Sequence, residues 1–125
     1  MSDGQTLVII VDDDQAVRES LQFALRLEGF CVHTHNGITS LLADPDLGRA
    51  DCMILDHRMP RLDGFDLLST IRTRNPDVPA IMLTSRTTSQ DRVRATAAGV
   101  HSMLEKPLLD DVLMHNIRAV LGVPA

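Results

Sequence analysis

An unbroken apolar run, Leu7-Val8-Ile9-Ile10-Val11, stops at three consecutive carboxylates, Asp12-Asp13-Asp14. A strand with no polar interruption has both faces covered, the situation of a strand inside a parallel sheet with a helical layer on each side. The same pattern returns down the chain, with strand-length apolar runs alternating with segments of helical i, i+3, i+4 spacing, as in repeated β-α units. Asp14 is placed to cap a helix over Gln15–Glu28 with Val17, Leu21, Ala24 and Leu25 inward and Gly29 as its left-handed terminator. A second strand, Phe30–His35, leads to a short helix around Ile38, Leu41 and Leu42, closed by Asp44-Pro45-Asp46. The third strand, Cys52–Leu55, ends in Asp56, and His57–Gly64 carries enough breakers to be a loop before a helix with Leu67, Leu68 and Ile71 inward.

After the turn Asn75-Pro76-Asp77, a fourth strand, Ala80–Leu83, ends in Thr84-Ser85. Thr87 and Gln90 have the spacing of a capping box for a helix through Val93, Ala97 and Ala98 to Gly99. A brief strand, His101–Leu104, then meets Glu105-Lys106-Pro107. The last helix keeps Leu109, Val112, Leu113, Ile117, Val120 and Leu121 on one face, with Asp110 and Asp111 in its first turn, and Gly122–Ala125 reads as linker. Five units and 125 residues predict one domain over 1–125 with its core at about 7–121, an open α/β sheet between two helical layers.

Composition narrows the ligand classes. Twelve Lys and Arg against 17 Asp and Glu give a net charge of -5, the wrong sign for gripping a phosphate backbone. Three Phe, with no Trp or Tyr, leave no stacking platform for bases or a flavin. No run approaches the roughly 18 apolar residues of a membrane span, and Met1–Gln5 lacks the start of a signal peptide, so a cytoplasmic protein is expected. Cys31 and Cys52 fall inside strands and read as reduced, buried thiols.

Ligands of open α/β sheets sit beyond the carboxyl ends of the strands. There Asp12 and Asp13 end strand one, Asp56 strand three, Thr84 strand four and Lys106 strand five. Carboxylates gathered this closely repel unless one is protonated or a hard dication neutralises them, and an oxygen-only set favours magnesium over zinc. Magnesium leaves room for a phosphoryl oxygen, and Lys106 and the Thr84 hydroxyl suit that group's other oxygens. The constellation fits phosphoryl transfer with Asp56, the lone acid on the central strand, as acceptor through an acyl phosphate and the Asp12-Asp13 pair holding the metal.

In order along the chain, Val11-Asp12-Asp13-Asp14, Leu55-Asp56-His57-Arg58-Met59-Pro60-Arg61-Leu62-Asp63-Gly64, Leu83-Thr84-Ser85 and Glu105-Lys106-Pro107 resemble the receiver domains of two-component response regulators, from about Leu7 to Leu121. The resemblance implies a flavodoxin-like (βα)5 fold with strand order 2-1-3-4-5. It implies that a histidine kinase or phosphotransfer protein donates a phosphoryl group to Asp56, with magnesium held by Asp13, Asp56 and the backbone carbonyl of Arg58, and Asp12 nearby through water. Thr84 and Lys106 would grip the aspartyl phosphate, and the shift of Thr84 would pass to the face of the fourth helix, fifth strand and fifth helix, which also offers a homodimer surface. Lys106-Pro107 resembles a bond that is cis in the family. Arg58 and Arg86 occupy positions resembling those that tune dephosphorylation. Met103 departs from the family's aromatic residue three positions before the lysine. The resemblance leans toward receivers of DNA-binding transcriptional regulators, with the output in a separate domain and no turnover of an external substrate.

The alternative is a small magnesium-dependent phosphohydrolase with an aspartate nucleophile, which needs a substrate-binding cap that no insertion supplies. A flavodoxin-like electron carrier would need a phosphate loop where the acidic triplet stands. A zinc reading of His33 and His35 lacks further ligands, so both read as ordinary strand residues. His57 points away from Asp56 along the strand and receives no catalytic role.

Overall fold

The computed structural model describes residues 5–108 and 111–122. The first strand, β1 (Leu7–Val11), is buried at every position, as its uninterrupted apolar sequence requires. It leads to α1 (Gln15–Leu27), β2 (Cys31–His35), α2 (Ile38–Leu42) and a 3₁₀ turn at Leu47–Arg49. Then come β3 (Cys52–Asp56), a two-residue pair β4 (Arg58–Met59) and β5 (Leu62–Asp63), and α3 (Gly64–Ile71). The chain closes with β6 (Ala80–Thr84), α4 (Ser89–Ala97), β7 (Ser102–Glu105) and α5 (Val112–Leu121). Five parallel strands form the main sheet in the order β2-β1-β3-β6-β7, which is the expected 2-1-3-4-5 once the small β4-β5 pair is set aside.

Alternation along the strands sorts side chains into two cores. Leu7, Ile9, Val11, Met53, Leu55 and Met82 pack with Leu41 of α2, Phe65, Leu67, Leu68 and Ile71 of α3, and Ala95 of α4. Val8, Ile10, Cys52, Ile54, Ile81 and Leu83 pack with Leu25 of α1 and Leu113 and Ile117 of α5. Helices therefore cover both faces, and β1, β3 and β6, buried at every position, leave only their ends for polar chemistry.

Local details depart from the sequence reading in five places. The stretch 57–64 is not a plain loop. Met59 pairs with Leu62 around Pro60-Arg61, with Arg61 at φ 62, the positive value a type II turn demands after proline. The capping box lies one residue later than expected. Thr88 accepts from the Asp91 N–H while Asp91 reaches back to Thr88, and Thr87 instead donates its N–H and hydroxyl to Glu105. Ala24, expected inward, is exposed, while Leu25 carries the burial of α1. No acid lies in the first turn of α5, because Asp111 is its left-handed N-cap residue and Val112 begins the helix. Expectations for Leu109, Asp110 and 123–125 lie outside the described residues. The fifth strand runs one residue later than expected, because β7 takes in Glu105 opposite Thr84. As expected, Asp14 caps α1, accepting from the N–H groups of Ala16 and Val17, and Gly29 follows the helix at φ 93.

Candidate functional site

Parallel pairing brings the carboxyl ends of β1, β3, β6 and β7 to one edge of the sheet, where Asp56 and Thr84 end β3 and β6 and Asp12 and Lys106 follow β1 and β7. Asp12 is fully buried. Its Oδ1 accepts the Asp14 N–H at 2.9 Å, its Oδ2 accepts Lys106 Nζ at 3.0 Å, and its backbone N–H donates to His35 O at 3.1 Å. Asp56, also buried, accepts the Arg58 N–H at 3.3 Å on Oδ1, and the same oxygen lies 3.5 Å from Lys106 Nζ. Asp13 is exposed at the mouth. Oxygens of Asp12, Asp13 and Asp56 lie within 4.8 Å of one another.

Gly64 lets α3 close on this edge. A Cβ at Gly64 would stand 2.6 Å from the Asp56 carbonyl oxygen and 3.0 Å from His57 Cα, so any side chain there would push the end of β3 aside.

Burial first, then the hydrogen-bonded Asp13 and the charge of Asp12, push the Asp56 carboxyl up to about 7, against the partial pull of Lys106 and the Arg58 N–H. For Lys106, burial favours the neutral amine, but Asp12 and Asp56 outweigh it and hold the ammonium above its ordinary value. One ammonium thus serves two carboxylates with a third alongside, an oxygen-only donor set whose surplus negative charge suits a hard dication. The Lys106-Pro107 bond is cis, as expected.

Thr84 is buried at the end of β6, but its hydroxyl is engaged away from the acids. It donates to Arg86 O at 2.8 Å, and His57 Nδ1 lies 3.2 Å from it. The structure therefore brings together Asp12, Asp13, Asp56 and Lys106, with Arg58 contributing its N–H, while the Thr84 hydroxyl is held on a neighbouring set of partners.

His57 turns away from Asp56, as the sequence reading has it. Its imidazole is 1 % exposed, stacked edge-on to Phe65 at 5.1 Å, with Nε2 lacking a hydrogen bond and 3.7 Å from Asp91 Oδ1 of α4. Directly after β3, its side chain alternates away from Asp56 and toward Thr84, a contact with the end of β6 that only the sheet order creates. Arg94 of α4 lies over the Phe65 ring at 4.4 Å and pairs with Asp63 at 3.1 Å. Met103 of β7 is half-buried against the same core.

The family model described as the response regulator receiver domain matches residues 8–118. The chain belongs to that family. Among curated relatives, the response regulator MprA of Mycobacterium avium is 38% identical over 116 residues, 91% of this chain and 50% of the relative. The chain thus spans about half the length of the curated relatives it matches. Of solved structures, the chemotaxis protein CheY4 of Vibrio cholerae superposes with a TM-score of 0.87 at 28% identity, covering 94% of this chain and 100% of that one. The non-phosphorylated HemR receiver domain of Leptospira biflexa gives 0.84 at 25% identity, covering 97% and 98%. Receivers are two-component signalling proteins, and the sheet order here is the CheY-like one. Among the described residues, no helix is long and apolar enough to cross a membrane.

Proposed function

We propose that this receiver accepts a phosphoryl group on Asp56 from the phosphohistidine of a histidine kinase or phosphotransfer protein, and that the modification switches an output. The observation that carries the reading is Lys106 Nζ set between Asp12 Oδ2 and Asp56 Oδ1 at 3.0 and 3.5 Å, beside a third carboxylate. A carboxylate oxygen of Asp56 bonds to phosphorus as the donor's P–N bond breaks, and the imidazole leaves with the electron pair. Asp12, Asp13, Asp56 and the backbone carbonyl of Arg58 are the groups to hold magnesium, which when bound neutralises the carboxylates and the incoming phosphoryl oxygens. Lys106 then turns from the carboxylates to a phosphoryl oxygen.

The Thr84 hydroxyl reaches the phosphoryl group only by leaving Arg86 O and His57. Its departure removes the partner of His57, whose other nitrogen faces Asp91 on α4, so α4 feels the change directly. With Met103 in place of an aromatic ring, this histidine path and repacking of the flexible thioether carry the signal to α4, β7 and α5. That face bears a groove lined by Arg92, Met103, Glu105, Pro107 and Val112, the surface we assign to output or self-association. Transcription is the output we favour, exerted through a further domain; the receiver itself turns over no external substrate and contacts no nucleic acid, and we place it in the cytoplasm.

Intact mass after incubation with acetyl phosphate tests the reading. One phosphoryl adduct that requires magnesium, is released by hydroxylamine and is absent from Asp56→Asn is the expected result. No adduct with acetyl phosphate or any candidate kinase overturns it.

A further inference from the structure

Three large apolar side chains stand mostly in solvent among the described residues, and two of them, Phe23 at 69% and Leu27 at 71% exposed, share α1. The helix does not use them to fold, since its inner stripe reaches the core through Leu25 with Leu21 packed beside it. Four-residue spacing sets Phe23 and Leu27 side by side on the opposite, outer face. Ala16 and Ser20, also four residues apart, are exposed on that face and form a shallow gap of small side chains. Glu19 and Arg26, two helical turns apart, run along one edge of it and line the groove beside Phe23. Glu19 accepts Gln15 Nε2 at 3.0 Å, and Arg26 donates to Val32 O at 3.4 Å. Among the described residues neither meets an opposite charge.

We propose that this face pairs α1 with α1 of a second copy of the chain, antiparallel about a two-fold axis that passes between Gln22 and Phe23. Glu19 and Arg26 are equally far from that axis on either side, so Glu19 of each copy stands opposite Arg26 of the other. The edge is therefore complementary in charge to itself, which is the condition a two-fold interface imposes. A partner helix carrying one sign of charge along its length would match one end of this edge and clash at the other. The same axis sets Phe23 beside its counterpart and lowers Leu27 over the gap between Ala16 and Ser20 of the second copy, large side chains against small ones. Contiguous exposed apolar side chains with a charged edge are what a protein contact leaves on a separated subunit. One helix pair covers less than the roughly 800 Å² per partner of a stable complex, so the dimer forms and dissociates with concentration. The face shares no lining residue with the groove at α4, β7 and α5.

The test is sedimentation of the full chain from about 1 µM to about 1 mM, with chelator and without a phosphodonor. The wild type is expected to pass from monomer to dimer across that range, and Asp56→Asn to do the same, because the phosphoryl acceptor takes no part. Phe23→Glu sets two carboxylates against each other at the axis and should weaken the dimer at least about tenfold. Glu19→Arg and Arg26→Glu should each weaken it roughly tenfold, and the two together should return it to within about threefold of wild type. All three residues are exposed, so each variant should keep the wild-type circular dichroism. A chain still monomeric at the highest concentration overturns the proposal and leaves the face to a different partner. So does a dimer that tolerates Phe23→Glu, or a double reversal no stronger than either single one.

Discussion

Asp56 and Asp44 are both buried carboxylates, and they shift in opposite directions. Burial alone raises both. Asp56 faces Asp13 and Asp12, so its neighbours add to the burial penalty, and the carboxyl rises to about 7. Asp44 meets the Asp46 N–H and the rings of His35 and His33, and these donors overcome burial and hold it below the ordinary value. The partners, not the depth, set the sign. A carboxylate left electrostatically hungry beside a lysine is ready for a cation and a phosphoryl group. One already satisfied by donors fastens an edge strand to the turn that covers it.

The largest expected effect comes from removing the satisfied acid. Asp44→Ala strands two imidazoles and a backbone N–H, and should lower stability by about 2–4 kcal/mol in urea unfolding at pH 7. Its folded pKa lies below the unfolded one, so its contribution is present above the ordinary carboxylate range and is lost as pH falls through the lowered value. Acid unfolding of Asp44→Asn should accordingly be less steep there than that of the wild type. An equal slope would show that the rings do not hold the carboxylate.

Asp56→Asn should act with the opposite sign. Its folded pKa, about 7, exceeds the unfolded value of 3.8, so the ionised carboxylate opposes folding above pH 7 and the penalty is gone below about 4. With chelator at pH 8 the variant should be more stable than wild type by about 1–2 kcal/mol, or roughly 3–10 °C in Tm. The advantage should vanish near pH 4 and reverse in millimolar magnesium, which stabilises only a site that binds it. A variant no more stable at pH 8 would mean that Lys106 already balances the acids.

His57→Leu keeps volume but removes the ring beside Thr84. A net hydrogen bond of about 1 kcal/mol predicts a roughly fivefold higher phosphorylated fraction at sub-saturating acetyl phosphate. An unchanged or lower fraction would show that His57 does not restrain Thr84. The smallest effect belongs to a solvent-facing ion pair, the Glu28 carboxylate with the Arg118 guanidinium at 2.5 Å, where water screens both charges. Arg118→Ala should change stability by no more than about 0.5 kcal/mol in the same urea assay.

Much of this was legible beforehand because it is periodic. Leu7–Val11 declares a doubly covered strand by having no polar residue, and Asp56 declares itself by ending such a run on the central strand. The four-part acid and lysine site followed because a parallel sheet sends every strand's end to one edge. His57 was not legible in the same way. Its alternation correctly turned it from Asp56, but what lay on that side depended on β6 being the neighbour of β3. The cluster around Asp44 was hidden for a related reason. His33 and His35 announce a shared face, whereas the turn that supplies Asp44 sits nine to eleven residues away and is brought back only by the packing of α2.

The sequence by itself determined the β-α alternation, the parallel sheet, the identity of the acid and lysine edge and the family, since each rests on local pattern or on the order of strand ends. Tertiary structure alone decided which hydroxyl partners Thr84 keeps, where His57 points its two nitrogens, and which carboxylates the β2 histidines meet. Those outcomes depend on which strands lie side by side and which turns fold back, and no local periodicity encodes a distance between residues that pair only across the sheet.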